Sequence, residues 1–179
     1  MVTWVKRSGL VLAAGLLVAL ARPTLLSLLG GGILVLAGLA TRVWAAGHLS
    51  RSTELTTSGP YAYLRDPLYL GRLFFIVGLC TMGSGWDWLL LVVGLGVFFG
   101  SYMPRKRRKE MARLEARFGE AYTRYAAQVR SLIPRLTRYP EASRKRWTPG
   151  LFWKDNREQY LAAGVAVIVA LLAWRYHHG

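Results

Sequence analysis

The chain has 179 residues, 53% of them hydrophobic, and carries 24 Lys and Arg against 9 Asp and Glu for a formal net charge of +15. That apolar load beside that charge excludes an ordinary soluble domain; it fits apolar helices in lipid with basic segments gathered on one side, and argues against a nucleic-acid partner. The single cysteine, Cys80, excludes an internal disulfide, and with His48, His177 and His178 it gives no metal-ligand spacing.

In chain order, five apolar stretches approach the ~20 residues a helix needs to cross the hydrocarbon core. The first, about 4–21, follows Lys6 and Arg7 and closes at Arg22-Pro23. It resembles a signal peptide, but no small-residue cleavage site precedes a polar segment, so it reads as a retained helix. The second, 25–47, is rich in Gly and Ala, which let membrane helices approach closely. The third and fourth, 68–82 and 86–103, are joined by Gly83-Ser84-Gly85 and read as a helical hairpin. The fifth, 160–176, follows a polar interval. Five crossings put Lys6, Arg7, Arg51, Arg65, Arg72 and Arg105 to Lys109 on one side, against Arg22 and Arg175 on the other. The N-terminus is then cytoplasmic and the C-terminus lies on the opposite side.

Residues 104–159 hold 16 basic and 6 acidic side chains, +10 of the net charge, which attracts anionic lipid headgroups. Within them Met111, Leu114, Phe118, Tyr122, Tyr125 and Val129 recur at helical spacing, with a bend predicted at Phe118-Gly119. On composition alone this is a helix lying on the bilayer surface. Segment 137–157 reads as a loop or linker. The fold predicted is all-α, an integral membrane domain of about five transmembrane helices with a cytoplasmic cap from 48–67 and 104–136.

Residues 59–71, Gly-Pro-Tyr-Ala-Tyr-Leu-Arg-Asp-Pro-Leu-Tyr-Leu-Gly, pack two prolines, three tyrosines and an Arg-Asp pair against the start of an apolar span. A plain loop has no need for so many rigid and aromatic residues; a site that grips a polar ligand at the membrane edge does. The bland readings are that Asp66 caps a helix started by Pro67, that Arg65 and Arg72 anchor a helix at headgroup level, that His48 is an interfacial polar residue, and that Trp44, Trp86, Trp88, Trp147 and Trp153 form an interface belt.

Two apolar spans later come Glu110, Leu114, Phe118-Gly119, Tyr122, Tyr125 and Ile133-Pro134. In order and spacing the two motifs resemble the isoprenylcysteine carboxyl methyltransferase family and the related phospholipid N-methyltransferases, over roughly residues 42–136. The resemblance implies an S-adenosylmethionine-dependent membrane methyltransferase acting on a lipidic acceptor, such as an isoprenylcysteine-like carboxylate or a phospholipid amine. It implies a cofactor site of His48, Tyr61, Arg65, Asp66, Pro67, Tyr69, Leu70, Gly71, Glu110, Tyr122 and Tyr125, with Arg105 and Glu110 as catalytic residues. The chain departs from the pattern at Asp66, where the family usually has His and many bacterial relatives have Asn, and at Met111, where it commonly has a second Glu. A catalytically degenerate member serving as a membrane scaffold or binding protein is the alternative. A membrane reductase fits poorly, because the chain is short for a separate substrate domain.

Overall fold

The computed structural model describes residues 2–50 and 54–179, without the side chains of 2–8 and 10. Arg51 and the side chains of Lys6 and Arg7, which entered the charge count, lie outside the described residues. Among the described residues the regular structure is entirely helical. The elements are α1 (Val2–Leu20), α2 (Leu25–Ala46), a 3-10 turn (Gly59–Ala62), α3 (Pro67–Gly83), α4 (Asp87–Val97), a π-helical turn (Phe98–Tyr102), α5 (Met103–Gln128), a second π-helical turn (Leu151–Asp155) and α6 (Glu158–His178).

Each apolar stretch forms a helix, but five crossings is more than the lengths support. Three helices are long and apolar enough to cross a membrane: α2, the rod Asp87–Gln128 formed by α4 running through the π turn into α5, and α6. The apolar part of α1, Val11–Leu20, and α3 are shorter. At 1.5 Å per residue the 17 residues of α3 rise about 25 Å, short of the ~30 Å hydrocarbon core. Large apolar side chains stand exposed along the long helices, among them Leu26 and Ile33 on α2, Val92 and Val93 on α4 and Val167 on α6. In water these would be a liability; in lipid they are the solvent-facing surface.

The most extensive packing is between α2 and α3. Two glycine pairs bring their backbones together. A Cβ on Gly78 would lie 2.8 Å from the Gly31 carbonyl oxygen, and one on Gly38 would lie 2.9 Å from that of Gly71. With little hydrophobic drive between helices in lipid, this close approach supplies the dispersion contacts that hold the pair. Around it Leu17, Val35, Phe75, Cys80, Met82, Leu91 and Leu172 form the main core. The predicted hairpin is present: α3 ends at Gly83, the Ser84 amide donates to the Cys80 carbonyl, and the turn passes through Ser84 and Gly85, both at positive φ.

The helical face of α5 does not turn toward the bilayer. Tyr122, Tyr125 and Val129 are buried with Tyr139, and Met111, Leu114 and Phe118 pack against them together with Leu55. The predicted bend is at Gly119, whose φ of 50° and ψ of −127° interrupt the helix. Segment 137–157 is largely irregular, as its composition suggests, yet it is bonded along its length. The Tyr139 amide donates to Ala62 O, Trp147 Nε1 to Val43 O, the Thr148 amide to Gly47 O, and Asn156 Nδ2 to Ala46 O. The segment is thereby strapped to the end of α2.

Candidate functional site

Local geometry explains why residues 59–71 are so rigid. Gly59 sits at φ +57°, and Pro60 occupies the first turn of the 3-10 element, where its missing N–H costs nothing. Pro67 starts α3 in the same way, with Asp66 at the N-cap position. The Asp66 side chain makes no capping bond, however. It accepts instead from Ser131 Oγ and lies 3.7 Å from Arg65 Nε. Residues 63–66 are zipped to the chain after α5: the Arg65 amide donates to Arg130 O, the Asp66 amide to Ser131 O and the Arg135 amide to Tyr63 O.

This pairing brings α5 over the N-terminus of α3 and closes a polar cleft of about 250 Å³. The Tyr69 hydroxyl donates to Glu110 Oε2 at 2.5 Å across the cleft, joining the two motifs 41 positions apart. Of the anticipated residues, Tyr61, Arg65, Asp66, Pro67, Tyr69, Glu110, Tyr122 and Tyr125 line it. The Tyr125 hydroxyl donates to Tyr61 O at 2.7 Å, fixing α5 on the 3-10 turn. Burial raises the Asp66 carboxyl above its ordinary range, against the opposing effects of the Ser131 hydrogen bond and Arg65.

Four anticipated residues are elsewhere. His48 is buried with Nδ1 3.1 Å from Ser58 Oγ and packs against Gly59; burial lowers its pKa. Gly71 faces α2, where the Arg42 side chain crosses over it, so its missing Cβ serves helix packing. Leu70 is half-buried and Arg105 is exposed, and neither lines the cleft.

The sequence reading missed Arg42 and the cleft roles of Arg72, Lys106 and Arg107. Arg42, within apolar α2, donates from Nε and Nη2 to the two carboxylate oxygens of Glu158 on α6 and from Nη1 to Leu68 O. An arginine inside a membrane helix is expensive and marks a partner, which was the available signal. Arg72 bonds the Tyr102 hydroxyl and lies over that ring, 4.8 Å from its centroid. The cleft carries six basic side chains (Arg42, Arg65, Arg72, Lys106, Arg107, Arg113) and three acidic ones (Glu54, Asp66, Glu110). Among the described residues no group of three or more His, Cys, Asp or Glu could hold a metal ion.

An all-helical membrane protein with a basic, tyrosine-lined cleft at one end is the class this geometry defines. The chain is similar to the nickel-cobalt-cadmium resistance protein NccN of Alcaligenes xylosoxydans xylosoxydans, 31% identical over 130 residues, 72% of this chain and 59% of the relative. It is also similar to the cobalt-zinc-cadmium resistance protein CzcN of Cupriavidus metallidurans, 31% identical over 132 residues, 72% of this chain and 58% of the relative. The match thus spans a little under three fifths of either relative. No family profile and no solved structure matches the chain.

These relatives overturn the methyltransferase reading. They are named for metal resistance, and neither supports membership of the isoprenylcysteine carboxyl methyltransferase family or methyl transfer to a lipid. The backbone shows why the motif misled. Gly59, Pro60 and Pro67 are required by a 3-10 turn and a helix start, a local geometry that serves more than one chemistry.

Proposed function

We propose that this chain is a membrane component of resistance to divalent transition-metal ions, acting through its cleft on a small anionic or zwitterionic ligand. The observation that carries this reading is the similarity, across 72% of the chain, to two proteins named for nickel, cobalt, cadmium and zinc resistance. The cleft's basic excess disfavours a bare divalent cation and favours a ligand bearing negative charge. S-Adenosylmethionine, a net cation through its sulfonium and ammonium, meets that preference with its carboxylate alone; it is one candidate ligand, and its binding is a separate matter from methyl transfer. Tyr69 and Glu110 belong to the proposed binding set, with Tyr61, Arg65, Asp66, Tyr122 and Tyr125 around them.

The proposed topology puts the cleft on the cytoplasmic side. The Arg22 amide bonds Gly83 O and Arg175 Nε bonds Ala21 O, so these two arginines share the end of the bundle away from the basic α5. The positive-inside rule then favours a cytoplasmic cleft. The test is growth of the source organism without this chain under graded nickel, cobalt, zinc and cadmium. Loss of tolerance restored by the wild-type chain, and less well by Glu110→Ala, supports the proposal. Unchanged tolerance to all four metals overturns it.

A further inference from the structure

Arg72 lies on the second turn of α3, about 7.5 Å along the axis from Pro67, where an apolar helix enters the bilayer. A guanidinium at that depth requires a partner. Glu158 is engaged by both Nε and Nη2 of Arg42, and both members of that pair are within electrostatic reach of Arg72. Among the described residues Arg72 has no carboxylate within ion-pair distance; its partner is the neutral hydroxyl and ring of Tyr102. The π-helical turn Phe98–Tyr102 sets that ring edge-on to the cleft residue Tyr69, with centroids 5.9 Å apart. Exposed Lys106 and Arg107, one turn further along, line the same cleft without an ion pair among the described residues. Two guanidiniums and an ammonium line the cleft, while its three carboxylates are engaged elsewhere, Glu54 by Lys145, Asp66 by Arg65 and Glu110 by Tyr69, and this leaves a positive seat.

We infer that Arg72, with Lys106 and Arg107, seats the anionic group, a phosphate or a carboxylate, of the ligand that occupies this cleft. The inference rests on the reading that the cleft is the working part of the chain, and it specifies the ligand's charged group. Arg72 supplies a planar donor pair suited to two oxygens of one anion, and the two exposed cations add attraction from the aqueous side. A lipid headgroup at the bilayer boundary and a soluble anion from the aqueous phase present the same chemistry.

The test uses the full chain in nanodiscs of phosphatidylcholine with and without phosphatidylglycerol, scored by mass spectrometry for retained lipid. Calorimetry with inorganic phosphate and with glycerol phosphate runs in parallel. Retention of phosphatidylglycerol over phosphatidylcholine assigns the seat to a lipid headgroup, and saturable binding of the soluble phosphates assigns it to a free anion. Either is expected to weaken about tenfold in Arg72→Gln, to recover partly in Arg72→Lys, and to stay unchanged in Arg144→Gln. The surface double variant Lys106→Gln/Arg107→Gln keeps the test decisive if Arg72→Gln does not fold, and it too weakens binding. No anion preference in the wild type, or variants that bind as the wild type does, overturns the inference. Neither readout depends on metal tolerance, so the metal-resistance reading stands or falls separately.

Discussion

Arg42 and Glu158, 116 positions apart, form a two-pronged buried ion pair, Nε to Oε2 at 2.8 Å and Nη2 to Oε1 at 2.7 Å. It ties α6 to α2 at the level where α3 begins, since the third arm of Arg42 reaches Leu68 O. Removing one partner leaves an uncompensated charge. Arg42→Met or Glu158→Gln is expected to destabilise the protein by about 3–5 kcal/mol. Arg42→Met/Glu158→Leu is expected to cost much less than the sum of the single changes, as read by denaturation in detergent.

Tyr69 and Glu110 are the shorter link across the cleft. Tyr69→Phe keeps the ring and its edge-on contact with Tyr102 while deleting the donor. The expected loss is about 1.5 kcal/mol, the low end for a bond to a charged group. Glu115→Gln, on an exposed face of α5, serves as the control and is expected to be silent. Thermal melts of the three proteins side by side decide the matter.

Glycines in α2 divide cleanly. Gly31 faces the backbone of α3, whereas a Cβ on Gly30 or Gly32 meets nothing within 4 Å. Gly31→Ala is expected to cost about 1–3 kcal/mol by forcing α2 and α3 apart. Gly30→Ala is expected to be neutral or to gain up to about 1 kcal/mol through helix propensity. Equal effects at the two positions would rule out close packing as the reason for Gly31.

Gly119 offers a purely conformational test, because a Cβ there also meets no atom within 4 Å. Its φ of 50° with ψ of −127° is open to glycine and costly for any other residue. Gly119→Ala is expected to lose about 1–3 kcal/mol, whereas Gly100→Ala, at a helical position with the same open surroundings, is expected to lose nothing.

The pH dependence at Asp66 follows from the direction of its shift. Burial raises its folded pKa, so the folded protein holds that proton more tightly than the unfolded chain. Its contribution is fully present below the unfolded value, about 3.9, and is lost as pH rises through the folded one. At neutral pH the ionised carboxylate is therefore a burden. Asp66→Asn is expected to melt higher than wild type at pH 7, with the difference closing near pH 4. An Asn variant that melts lower at pH 7 would show that Arg65 and Ser131 outweigh the burial.

Much of the helical order was legible. Apolar stretches of the right length became helices, the spacing from Met111 to Val129 marked one helical face, though it packs on Tyr139 and Leu55 and not on the bilayer, and Gly119 marked the bend. The convergence of residues 59–71 with Glu110 was legible as well, because both are polar groups at the same end of adjacent membrane helices. What escaped depends on register between distant helices. No local pattern pairs Arg42 with Glu158. Likewise, no local pattern announces the π turn that ends at Tyr102, the partner of Arg72. The strap from 137 to 157 escaped for a third reason: it is held by backbone acceptors at Val43, Ala46 and Gly47, which carry no side-chain signature. The chemistry was misread where turn geometry accounts for the glycine and prolines of the motif.

Glu110 sits on the same unbroken helix as Val92 and Val93, since Asp87–Gln128 is one rod up to the bend at Gly119. Tyr69, its partner, stands on α3, which is too short to follow that rod through the bilayer. A thinner membrane tilts the long helix more than the short one. The Tyr69–Glu110 hydrogen bond joins a helix long enough to cross the membrane to one that is not, and it is the bond on which such a mismatch would bear.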